Sequence, residues 1–124
     1  MTSLLILSLL LNIVVLVPVT ASLLARARWT VPAWGERTPA RDILLSIYLS
    51  ILFASSVLLV LVAGDGGSAQ ERSAAVALLT MQIVYKVLTT FTVQRALRNP
   101  VVLSNLAIGV VHVVTVATIL PGLV

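Results

Sequence analysis

The chain has 124 residues, of which 60% are hydrophobic and only 10% charged, with a formal net charge of +4 and a mean hydropathy of +1.15. A soluble domain of this size cannot hide so much apolar surface, so the composition excludes a water-soluble globular protein and points to lipid. The absence of cysteine removes disulfides, thiol redox chemistry and covalent haem attachment.

A bilayer core of ~30 Å needs about 20 apolar residues per helical crossing, and four stretches approach that length. The first runs from Leu4 to Leu24. Its Val19-Thr20-Ala21 resembles a small-residue cleavage site, but the stretch lacks a basic n-region and is longer than an h-region. Its first positive charges, Arg26 and Arg28, come after it, so it reads as a retained span. Pro18 removes a backbone donor there and leaves the Val14 carbonyl without its usual partner, so a kink is expected, which membrane helices commonly tolerate for packing. The connection that follows is the longest, with room for a short interfacial helix around Trp29 to Trp34, against which Pro32 argues.

The second stretch spans Ile43 to Ala63. Thr38-Pro39 ahead of it offers an N-cap followed by proline at the first helical position. Within it, Ser46, Ser50 and Ala54 form a ladder of small residues suited to close helix contact. Gly64-Asp65-Gly66-Gly67 breaks the helix, and Ser68 with Glu71 has capping-box spacing for the next one. The third stretch, Ala74 to Val93, carries Gln82, Lys86, Thr90 and Gln94 at successive spacings of four, a polar stripe on one face. A tight connection leads to Asn99-Pro100, a second cap-and-proline start. The fourth stretch, Val101 to Leu120, places Asn105 and His112 seven apart, with Ser104, Gly109 and Thr115 near the same side. The expected fold is therefore all-α, a single transmembrane domain over residues 1–124 built as an integral membrane four-helix up-down bundle.

Basic residues collect in alternate connections: Arg26, Arg28, Arg37 and Arg41 in the first, Arg95 and Arg98 in the third. The second holds Arg72 alone, offset by Asp65 and Glu71. The positive-inside rule then puts the first and third connections in the cytoplasm and both termini outside, as in a multi-pass protein of a bacterial cytoplasmic membrane. Trp29 and Trp34 suit the cytoplasmic interface belt. The net positive charge follows the same rule and attracts anionic headgroups, and no nucleic-acid pattern of basic residues interleaved with aromatics is present.

At ~1.5 Å per residue, Lys86 and Ser50 lie roughly 11 Å from the expected cytoplasmic ends, and Asn12, Gln82 and His112 at about 17 Å. All four helices thus present a polar group in the middle third. If those faces converge, Lys86 and His112 share a polar centre, with Tyr48 and Tyr85 as hydroxyl partners. For Asn12, Gln82 and Asn105 the simplest role is interhelical hydrogen bonding, worth ~0.6 kcal/mol per contact on average. A lone histidine is more often a satisfied core residue than a ligand, although its pKa suits switching. Lys86 is harder to place, because an ammonium is expensive inside a span and no Asp or Glu lies within any span. Either its stem snorkels to the surface, or it is neutral through desolvation, or it meets an anion, a carbonyl, or a carboxylate of another membrane protein.

One histidine without cysteine cannot build an ordinary metal site, and bis-histidine haem would need two copies. There is no nucleophile beside a base, no phosphate-binding glycine loop and no carboxylate pair, so neither enzymatic activity nor a cofactor is expected. Cation or proton carriers place acids within their spans, and none is there. Two functions remain in view. One is an accessory or scaffold subunit, a homo-oligomer or part of a larger membrane complex, assembling through helix faces. The alternative is an oligomeric binding or transport protein for an anion, a quinone or another amphipathic molecule. Lys86, His112, Gln82, Tyr48, Asn105 and Asn12 are the candidate contacts for either, and recruitment of anionic lipid by the basic first connection ranks behind both.

Overall fold

The computed structural model describes residues 2–124. Its helices are α1 (Thr2–Leu24), α2 (Val31–Trp34), α3 (Pro39–Asp65), α4 (Ala69–Thr92) and α5 (Pro100–Ile119), with 3-10 turns at Arg28–Thr30, Ala96–Arg98 and Leu120–Leu123. No strand occurs among the described residues. The helices α1, α3, α4 and the segment Pro100–Leu123 are each long and apolar enough to cross a membrane, which makes this a multi-pass membrane protein by length and composition.

Helix starts are set by caps, so α3 and α4 begin several residues before their apolar runs. Thr38 Oγ1 accepts from the Arg41 amide at 3.2 Å, with Pro39 in the first turn. Ser68 and Glu71 form the full capping box, through Glu71 N to Ser68 Oγ at 3.2 Å and Ser68 N to Glu71 Oε2 at 2.9 Å. Asn99 Oδ1 accepts from the Val101 amide at 2.9 Å ahead of α5. The C-terminal ends are equally specific. Gly66, at φ 81°, closes α3 by bonding the Val62 carbonyl, where only a residue without Cβ sits freely. Arg26 occupies the same left-handed region at φ 56°, and Ala27 N reaches Ser22 O at 2.9 Å, a Schellman closure with arginine in the usual glycine place.

The helix α1 continues through Pro18 to Leu24. One local expectation changes. Pro32 does not make the first connection irregular, because it lies in the first turn of α2, where its missing donor would have had no partner anyway.

The main packing pairs are α1 with α3 and α4 with α5, joined by α3 with α4 and α1 with α5. At one end all four long helices contribute to an apolar layer of Leu5, Leu9, Val62, Ala75, Leu79 and Ile119, none more than 1% exposed. Toward the other end Leu16, Leu23, Tyr48 and Ile51 form a second layer between α1 and α3. Large apolar side chains such as Phe53 and Phe91 stand 72% and 81% exposed, the arrangement expected where lipid is the solvent.

Of the small-residue ladder on the second span, Ala54 is half-buried and the two serines face outward. Ser46 and Ser50 are exposed and bond the Asp42 and Ser46 carbonyls at 3.1 and 2.9 Å. A hydroxyl satisfied by its own helix can face hydrocarbon, so these serines need no partner helix. The buried serine of α3 is Ser55, on the face that also carries Tyr48 and Val62. The α4 stripe is likewise shorter than its spacing implies: Gln82 and Lys86 are buried, Thr90 is half-buried, and Gln94 falls beyond the end of α4. Ser68→Ala is expected to destabilise the bundle by about 1 kcal/mol through loss of the α4 cap. Comparing its unfolding midpoint in a denaturing-detergent titration with that of Gln70→Ala, an exposed change in the same turn, checks this.

Candidate ligand cavity

Asn12 is the junction of the polar interior. Its Nδ2 donates to Ser55 Oγ on α3 at 3.0 Å, and its Oδ1 meets His112 Nε2 on α5 at 2.9 Å. Because Oδ1 can only accept, His112 carries its proton on Nε2 in this pairing, and its Nδ1 is buried without a partner. Closer to the apolar end layer, Ser8 and Thr115 share a hydroxyl bond at 2.6 Å. All five of these residues are buried.

Lys86 lies one α4 turn from Gln82 and is 5% exposed. Its stem does not carry the amine to the surface: Nζ donates to Tyr85 OH at 3.1 Å and to Asn105 Oδ1 on α5 at 3.3 Å. It also lies 4.9 Å from the Tyr85 ring centroid, within cation–π range. No carboxylate contacts it among the described residues. Asp42, the acid nearest in sequence to a span, pairs instead with Arg37 at 3.1 Å.

Beside these groups is a cavity of about 390 Å³, within the range of small-molecule sites. Asn12, Gln82, Lys86 and Asn105 line it, together with Trp29, Pro32 and Trp34 from the first connection. Tyr48 and Tyr85 are in the lining too, and Leu16, Val19 and Ile108 contribute apolar surface. Tyr48 OH accepts from Trp34 Nε1 at 3.2 Å. Gln82 is 1% exposed, and its Nε2 has no hydrogen-bond partner. Five of the six residues singled out from the sequence thus border one space, and Ser104 joins them. His112 does not line it, being held behind Asn12. A shallower groove of about 260 Å³ runs along α4 and α5, lined by Ile83, Val87, Gly109 and Val113, and it shares Lys86 and Asn105 with the cavity.

The residue that sequence reasoning missed is Arg41, which it counted only as a topology charge. It is 7% exposed. Its Nη1 donates to the Gly35 carbonyl at 2.6 Å and its Nη2 to Thr30 Oγ1 at 2.8 Å, so the guanidinium clamps α2 and its flanks onto α3. A cation in the first turn of a helix opposes the helix dipole, and that local misfit was the available signal. Asn99 Nδ2 adds a tether to the Ala33 carbonyl at 2.8 Å, tying the first connection to the third. Trp29 and Trp34 meet edge-on at 5.7 Å between centroids, and Trp34 and Tyr48 at 6.4 Å. The clamp therefore positions an aromatic wall.

Compared with known protein families, curated proteins and solved structures, the chain matches none.

Arg41→Ala is expected to loosen the first connection and expose the cavity's tryptophans, which are the chain's only two. The tryptophan emission should shift to the red and become more accessible to acrylamide. Arg41→Lys should restore little of this, because a lysine cannot bridge both acceptors as a planar fork.

Proposed function

We propose that this is a small non-enzymatic membrane protein that binds an amphipathic small molecule in the cavity beside Lys86. The observation carrying this reading is a ligand-sized space bordered by Lys86, Gln82, Asn105 and Asn12, side chains otherwise buried among the helices. Polar groups held away from water are costly without partners, and a bound molecule would supply them. The mostly apolar and aromatic lining with a few polar groups has the composition of a ligand site. Tyr48 is a further polar contact, and His112 acts through Asn12.

The setting is an up-down bundle in a bacterial cytoplasmic membrane, with both termini outside and the aromatic connection in the cytoplasm. Supporting it are the arginines of the first and third connections, the bond tying those two connections together, and the contact of Thr2 Oγ1 with the Gly66 carbonyl at 3.3 Å. In a chain without native cysteine, Gln70→Cys in intact cells is expected to react with a membrane-impermeant maleimide. Glu36→Cys should react only after the membrane is opened, and the opposite pattern would invert the orientation.

A second reading, an accessory subunit assembling with itself or a larger complex, draws on the α4/α5 groove, since a partner helix lying there would reach Lys86 and Asn105 from outside. Native mass spectrometry of the gently extracted protein separates the two. A defined small molecule that is retained by the wild type and lost in Ser104→Trp, which fills the cavity, is the outcome expected for binding. A reproducible foreign subunit, unaffected by Ser104→Trp and lost in Lys86→Met, would instead favour the accessory role.

A further inference from the structure

We infer that the cavity's ligand is a monovalent organic anion, a carboxylate on an apolar body, which serves as the counter-ion that Lys86 lacks within the chain. This rests on the binding reading and narrows it to a chemical class. The chain has four acidic residues, and none borders the cavity. Glu36 is in the first connection, Asp42 is engaged by Arg37, and Asp65 and Glu71 are at the other end of their helices.

The hydrogen-bonding capacity left over points the same way. An ammonium has three donors, and two of Lys86's are directed at Tyr85 OH and Asn105 Oδ1. The third has no partner among the described residues. Asn12 Oδ1 is engaged with His112 and Asn105 Oδ1 with Lys86 itself. The first turn of α5, Pro100 and Val101, also borders the space and adds the positive end of a helix dipole. A carboxylate, with one negative charge and two acceptor oxygens, meets the charge of the ammonium and can also accept from the hydroxyls of Tyr48 and Tyr85, which border the space and whose oxygens accept from Trp34 and Lys86. A dianionic phosphate would bring a second charge with no cation to meet it, which is costly away from water. A neutral quinone would accept the hydrogen bonds and leave the ammonium uncompensated. Leu16, Val19, Ile108 and Trp34 supply the apolar and aromatic surface for the body.

The chain's own tryptophans report occupancy, since both line the cavity. The protein in zwitterionic phosphatidylcholine nanodiscs would be titrated with 6-bromo-2-naphthoate and with the neutral 6-bromo-2-naphthamide, reading quenching of tryptophan emission by bromine. The expected result is saturable quenching by the carboxylate with at least tenfold weaker binding of the amide. Lys86→Met should erase that preference. Gln82→Leu, which keeps the lysine and guards against a misfolded Lys86 variant, should weaken the carboxylate several-fold. Equal saturable binding of both compounds in the wild type would overturn the anion while leaving the binding reading in place. Quenching that rises without saturation and is identical in wild type, Lys86→Met and Gln82→Leu would overturn both.

Discussion

In hydrocarbon, helices have no water to escape from by associating, so the choice of which faces meet falls to close packing and to polar side chains that find partners only in one another. Asn12 is where that constraint is met most fully. One amide on α1 engages α3 through Ser55 and α5 through His112, so three of the four long helices are placed in register by a single side chain. Each such bond contributes only ~0.6 kcal/mol on average in lipid. Their value is specificity: a rotation of any of the three helices would leave a buried amide, hydroxyl or imidazole without its partner.

The cavity follows from where those bonds lie. Every side-chain hydrogen bond between α1 and α5 falls at Asn12–His112 or nearer the apolar end layer, at Ser8–Thr115 and Thr115–Leu4. Farther along, Val15 to Val19 of α1 and Val101 to Ile108 of α5 border open space. Lys86 and Asn105 connect α4 to α5 in that region, and the clamped first connection supplies the wall of tryptophans. The molecule is thus layered, from an apolar end layer through a hydrogen-bonded polar layer, in which only His112 Nδ1 has no partner, to a cavity with polar and aromatic lining.

Much of this was legible in the chain. Uninterrupted apolar runs located the spans, and cap residues at Thr38, Ser68 and Asn99 located their starts. Polar residues marked the inward faces, because in a membrane protein the interior is the more polar side. Gln82, Lys86, Asn105, Asn12 and Tyr48 could be picked out for that reason. Serine was the weak point: its hydroxyl can bond its own helix, so Ser50 and Ser55 look alike until burial separates them, although the seven-residue spacing of Tyr48, Ser55 and Val62 was a usable signal. His112 joins the polar interior through Asn12 and is not in the cavity lining, a division of roles that spacing along α5 alone does not show. The clamp role of Arg41 was missed because a count of basic residues does not show which of them also bonds the connection.

The end layer of Leu5, Leu9, Val62, Ala75, Leu79 and Ile119 has an electrical consequence. Its six side chains carry no group that could hold an ion or a water molecule, and a charge cannot enter such a layer without losing its solvation. The ammonium of Lys86 is thereby insulated from that end of the bundle.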